Sequence, residues 1–374
     1  MASPSWAAEM FRCDAAHSGV CRTAGLRAAL LDEQHLAEPP LAWRFRTGSL
    51  NRSSPVVADG TVYVGSDNGS MYALRADTGK AIWTFHTGGA LNSSPAVAAG
   101  TVYFTGGDDG VYALSADKGR RRWVFRAGRA LPAPAHGFDF FRSSPVPVDG
   151  VVYVGSRDGN VYALDAADGR RRWAFRTRAR VDATPAVANG VVYAGSMDGN
   201  LYALDARDGH LLWKFKTEGN ADFPLGEVQS SPAVADGAVY FGSRDGHLYA
   251  LDARTGARRW AYDNGGAWIL ASPAVAHGVV YAGGSDSQNV FALDAATGKK
   301  KWDYKAAGRV FSSPVLVGSV LYVGTANTYL MFIDPANGKP MGGKLAEGPV
   351  YASAAVHDGS VYFSSDDGYV YALR

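Results

Sequence analysis

Eight regularly spaced residues carry the densest chemistry in this chain: Arg52, Asn92, Arg142, Asp182, Gln229, Leu270, Phe311 and Tyr351. Each stands three positions before a recurrent proline (Pro55, Pro95, Pro145, Pro185, Pro232, Pro273, Pro314) or, in the eighth place, before Ala354. Two guanidiniums suit a carboxylate or phosphate, which the arginine fork can hold through two parallel hydrogen bonds. Asp182 could orient that pair or accept a proton. Leu270, Phe311 and Tyr351 make an apolar arc beside the polar one. A few convergent polar groups against an apolar wall is the usual form of a small-ligand pocket. The alternative is a set of solvated ion pairs around a water-filled hole. Two residues further along, the chain is almost uniform: Ser54, Ser94, Ser144, Thr184, Ser231, Ser272, Ser313 and Ser353. On a repeat scaffold the shared position reads as packing and the varied one as function.

What positions these residues is a repeat of about forty residues, first complete in "SSPVVADGTVYVGSDNGSMYALRADTGKAIWTF", Ser53 to Phe85. Alternation and turn residues divide it into four strands, with Asp59-Gly60 as a type I′ hairpin signal. The fourth strand carries a tryptophan that recurs as Trp83, Trp123, Trp173, Trp213, Trp260 and Trp302, with Gly342 standing in once. Four strands per period indicate a propeller, and the aromatics suit packing between blades. "LAWRFRT" from Leu41 is a fourth strand with no blade before it, and Ala354 to Arg374 is three strands with no fourth. Joining them removes the sheet edges and gives an all-β, eight-bladed propeller over 41–374, after a lead-in of 1–40.

The spacing from tryptophan to the next proline is usually twelve residues, as in Trp83–Pro95, but twenty-two in Trp123–Pro145 and nineteen in Trp213–Pro232. Both insertions fall in connections at the top of the channel, where long loops tend to be functional. They bring Phe138, Asp139, Phe140, Phe141, Asp222, Phe223 and Glu227 to the rim, and Trp268 stands near the apolar arc. The second turn of each blade adds Asp67, Arg157, Met197, Arg244 and Asp366, of which Arg157 and Arg244 are expected to contribute.

The pattern "SSPV–DG–VYVGS–DG–YALDA–W–F", clean at Ser143 to Phe175, resembles the quinoprotein-like (PQQ-repeat) propellers. That family includes quinoprotein alcohol dehydrogenases and the BamB outer-membrane assembly scaffold. The resemblance covers Leu41 to Arg374 and implies the propeller fold. In the dehydrogenases it also implies a quinone held at the axis with calcium, a stacking tryptophan and vicinal cysteines. This chain has only Cys13 and Cys21, both ahead of the repeats, and no acid-plus-asparagine cluster at the axis, so no cofactor is expected.

Other classes are excluded by what the sequence lacks. No HExxH pair or calcium loop is present, and no metal is expected. There is no phosphate-binding G-x-x-x-x-G-K loop and no G-x-S-x-G elbow. "GRRRW" and "GKKKW" begin outermost strands far from the rim, where Lys and Arg guard a sheet edge, so nucleic acid is not expected. Net charge is +2, and no apolar run is long enough to span a membrane. "MASPSWAAEMF" lacks the pattern of a signal peptide, which reads as cytoplasmic, or as exported if such a peptide has been removed.

Three functions remain. The first is a propeller that binds a small anionic or mixed polar/apolar molecule, or a peptide end, in its top funnel. The second is a cofactor-independent enzyme with Asp182, Glu227 or Asp139 as the acid–base group. The third is an assembly scaffold with a protein partner at the rim.

Overall fold

The computed structural model describes residues 10, 13–21, 39–132 and 141–374. Eight four-stranded antiparallel sheets form a ring of blades. Blade 1 is typical: Val56–Ala58 lines the channel, followed outward by Thr61–Gly65, Ser70–Arg75 and Ala81–His86. Asp59 and Gly60 both have positive φ, 46° and 69°, as a type I′ hairpin requires. Blades 2 to 7 repeat the order. Blade 8 is made of both chain ends, Ala355–His357, Ser360–Ser365 and Tyr369–Leu373 pairing with Leu41–Arg46.

The aspartate of the second turn fixes the top loops. The Asp158 carboxylate accepts from the Asn160 amide (3.0 Å), the Tyr162 phenol (2.6 Å) and the Gly128 amide of the preceding connection (2.7 Å). Asp198, Asp245 and Asp367 do the same with Tyr202, Tyr249 and Tyr371. One acid therefore ties its own turn to the loop of its neighbour.

Adjacent blades are joined by two repeated contacts. In the first, the outermost tryptophan reaches into the next blade. Trp83 lies against Gly119, where a Cβ would stand 2.6 Å from its ring, and its Nε1 donates to the Ala116 carbonyl at 2.8 Å. The Tyr63 hydroxyl donates to the same carbonyl at 3.2 Å. Gly79, Gly119, Gly169, Gly209, Gly256, Gly298 and Gly338 receive the seven tryptophans, Trp43 through Trp302. In the second, among the described residues, the amides of seven of the eight ring residues, all but Ser313, donate to the hydroxyl of the next blade, as Ser94 to Ser144 at 2.9 Å and Ser144 to Thr184 at 2.9 Å. The last blade closes on the first identically, through Ser353 to Ser54 (2.9 Å) and Trp43 to Ala76 (2.9 Å).

The junction from blade 7 to blade 8 differs. Gly342 replaces the tryptophan because the turn that would receive it is where the two chain ends meet.

The lead-in runs along the channel wall below the funnel. Carbonyls of Ala15, Ala16, Ser18 and Gly19 accept from the amides of Val187, Val234, Val275 and Leu316, one in each innermost strand of blades 4 to 7, at 2.6, 2.8, 2.7 and 2.8 Å. Cys13 and Cys21 form a disulfide (Cα–Cα 5.1 Å) that packs against the apolar cluster shared by blades 7 and 8.

Gly79 and Gly60 share nearly the same φ, +67° and +69°, but only Gly79 would push a Cβ into a ring, 2.5 Å from Trp43. Both alanine variants carry the left-handed cost of about 1 kcal/mol, and Gly79→Ala adds roughly 1–3 kcal/mol of overpacking. Urea denaturation of the two variants is expected to separate them by that margin; equal losses would contradict the docking role.

Candidate functional site

A funnel of about 530 Å³, part of it continuous with solvent, opens at the top of the channel. Its wall contains all eight variable residues, Arg52, Asn92, Arg142, Asp182, Gln229, Leu270, Phe311 and Tyr351, together with Phe141. Its floor is the complete set of eight ring hydroxyls. The structure thus brings together residues spread over three hundred positions, because each innermost strand starts at the same height. Phe311 and Tyr351 meet edge to face at 5.5 Å and make the apolar side.

The arginines of the mouth face acids supplied by the second turns. Arg52 bonds Asp366 at 3.1 Å and lies 3.9 Å from Asp67. Arg142 leans back over blade 2 to Asp109 and the Gly107 carbonyl. Asp182 is held between Arg157 (3.0 Å) and Arg180 (3.5 Å), its side chain wholly buried. Burial holds the Arg142 guanidinium below its usual range, and the neighbouring Arg157 charge acts in the same direction. Burial likewise raises the Asp366 carboxyl, against the pull of Arg52. The ion-pair alternative and the pocket are therefore both present: the pairs build the pocket's rim.

Several expected residues stand elsewhere. Phe138, Asp139 and Phe140 lie outside the described residues. Trp268 and Phe223 are not part of the wall; they meet edge to face at 4.6 Å, with Trp268 covering the buried Arg244 at 5.2 Å. Arg244 donates to the Gln229 carbonyl oxygen at 2.7 Å. Glu227 is buried beside the funnel and is not part of its wall. Of the second-turn residues, Asp67, Asp366 and Asp109 do as much as Arg157 and Arg244, which composition of the turns did not indicate. Arg180, which flanks Asp182, and Arg309, which pairs with Asp286 at 3.1 Å, were also not expected. Both stand five residues before an anchor, so the two-residue alternation, followed one step further out, would have found them.

Asp182, the only described candidate base in the wall, has two guanidiniums neutralising it. The donor set of a quinone site does not fit either: the cysteines lie below the channel, Trp268 covers an arginine, and the mouth acids are spent on arginines. Among the described residues one acid–histidine group, Asp205, Asp208 and His210, has metal-like spacing, but it is an outer turn of blade 4 in which Asp205 bonds Arg207 and Asp208 bonds His210. One arginine of each arginine run turns back to its hairpin: Arg122, Arg172 and Arg259 donate to the carbonyls of Gly100, Gly150 and Gly237.

A family model described as outer membrane protein assembly factor BamB matches residues 37–139, 128–263 and 223–374. No curated protein sequence matches the chain. Among solved structures, BamB from Moraxella catarrhalis is 20% identical with a TM-score of 0.72, over 90% of this chain and 98% of that one. A quinohemoprotein alcohol dehydrogenase from Comamonas testosteroni is 16% identical with a TM-score of 0.77, over 99% and 80%. The computationally designed Ika8 protein is 15% identical with a TM-score of 0.72, over 90% and 98%. At these identities the likeness is one of fold.

Burial pushes the Asp67 carboxyl up to about 6, opposed by Arg52 and aided by the Asp366 charge. Between its ordinary 3.8 and that value the folded chain keeps a proton the unfolded chain has released. The resulting stability is complete below about pH 4 and is lost as pH rises through about 6. Asp67→Asn is expected to flatten that limb of a urea-denaturation series and to exceed wild type by on the order of 1 kcal/mol at about pH 8. Identical pH slopes would contradict the assignment.

Proposed function

The chain belongs to the BamB family of PQQ-repeat β-propellers, and from that premise we propose that it is a binding protein whose top funnel receives a small molecule with polar and apolar parts, or a peptide end. The observation that carries this reading is the funnel itself. The positions that vary between blades all converge on one cavity, while the positions that repeat hold the ring. Variation concentrated where nothing structural requires it supports recognition. The neutralised Asp182 supports binding over catalysis.

A protein partner at the rim is the second reading. The BamB name describes an assembly factor, and the insertion after blade 4 supports it: Leu225 is 52% exposed at the top of that loop. The disulfide of the lead-in supports an exported protein, because such bonds persist in oxidising compartments, rather than the cytoplasmic one expected from the sequence start.

Native mass spectrometry of the protein exposed to extract of its source tests the funnel. Wild type is expected to retain a discrete small mass that Gln229→Ala, a change in the funnel wall, loses by about tenfold or more, a difference of roughly 1.4 kcal/mol. Retention of nothing by wild type, or equal retention by both, would overturn the funnel reading and leave the rim.

A further inference from the structure

The charges of the funnel are spent, and its neutral polar groups are not. Arg52, Arg142 and Arg157 each face an acid, so the mouth has little positive charge left to offer. Asn92 is different. It is 8% exposed, lines the cavity, and its carboxamide makes no hydrogen bond among the described residues. Gln229 is 6% exposed and also lines the cavity. Its Oε1 accepts from Arg244, which fixes the amide orientation and leaves Nε2 buried as a donor with no partner among the described residues. A buried donor left unmet is costly, so a ligand that meets it gains the difference.

The floor points the same way. Each ring hydroxyl from Ser54 to Ser353 that accepts a neighbour's amide uses one lone pair. Those of Ser54, Ser94, Ser144, Thr184 and Ser231 make no other hydrogen bond among the described residues, so each keeps an O–H donor and a second lone pair. Floor and wall therefore present donors and acceptors side by side, without surplus charge. A hydroxyl answers that pattern reciprocally, since it both donates and accepts. Phe311 and Tyr351 supply apolar faces on the other side, suited to the C–H face of a sugar ring.

We propose that the funnel binds a neutral saccharide, gripped by the carboxamides of Asn92 and Gln229 over the hydroxyl floor. This rests on the funnel being a binding site and names what fills it. An anion or a charged peptide end would have to compete with acids already seated on partly buried arginines, at a desolvation cost. A neutral polyol leaves those pairs in place.

The test is titration calorimetry of the full chain with methyl glucoside, methyl mannoside, methyl galactoside and N,N′-diacetylchitobiose, beside methyl glucuronide as the charged counterpart. At least one neutral probe is expected to bind. Asn92→Ala and Gln229→Ala are each expected to weaken it by about tenfold or more with an unchanged thermal midpoint. Methyl glucuronide is expected to bind at least about tenfold more weakly than methyl glucoside where the latter binds. Asn92→Gln and Gln229→Glu guard against a variant that merely misfolds: the first keeps the carboxamide, the second replaces its donor with a charge. Tighter binding of the glucuronide, lost in Arg142→Ala, would overturn the neutral-saccharide inference and keep the funnel. Absence of binding by every probe would overturn it as well, and native mass retention would then decide whether the funnel reading survives.

Discussion

The ring is held shut by a hydrogen bond that every blade but the seventh hands to the next. A backbone amide at the head of one innermost strand donates to the hydroxyl of the strand beside it, through 2.9–3.1 Å contacts that run from Ser54 to Ser94 and return through Ser353. Each is worth about 1 kcal/mol net. Their larger effect is geometric: they set all eight strand heads at one height, and so place eight side chains around one hole. At the periphery the tryptophan-in-glycine contact does the complementary job, fixing the spacing of the outer strands. Blade 7 shows why both are needed. Its junction with blade 8 lacks the tryptophan, and the Ser313-to-Ser353 link is not formed among the described residues. The cut between the chain ends removes the turn in which a tryptophan would sit, and a residue with no socket has no reason to be large. The disulfide-closed lead-in packs on this same seam.

The funnel follows from that division of labour. Because the structural contacts use amide, hydroxyl and indole groups that every blade repeats, the side chains one step above the hydroxyls are free to differ. They have diverged into arginine–acid pairs, two carboxamides and an apolar arc. The second turns supply counter-charges, so the mouth is rich in ions yet close to neutral. The lead-in occupies the wall below, along blades 4 to 7, which makes the top the open end of the channel on that side.

Most of the fold was legible in the sequence, since it follows from local rules applied eight times. Aspartate–glycine pairs announced the hairpins, and the unmatched strands at Leu41 and Ala354 announced the closure. The two rings were legible for the same reason, as a strand's period of two separates wall from floor. What stayed hidden was pairing. Nothing in the string says that Arg142 turns back to Asp109 of the previous blade, or that Asp67 of the same blade and Asp366 of the neighbouring one converge on Arg52, because those contacts are made between loops of unlike shape. An arginine count alone suggested an anion site; only the partners show the charge to be balanced. The lead-in was equally opaque, as its backbone carbonyls rather than its side chains make the contacts.

Residue-resolved amide hydrogen exchange of the native protein tests the claim on which the rest stands. The amides of Ser54, Ser94, Ser144, Thr184, Ser231, Ser272 and Ser353 are expected to be among the slowest to exchange, with Ser313 markedly faster and the 7–8 junction the first to open. Protection of Ser313 equal to that of the others, or a first opening at any junction that carries its tryptophan, would contradict the account.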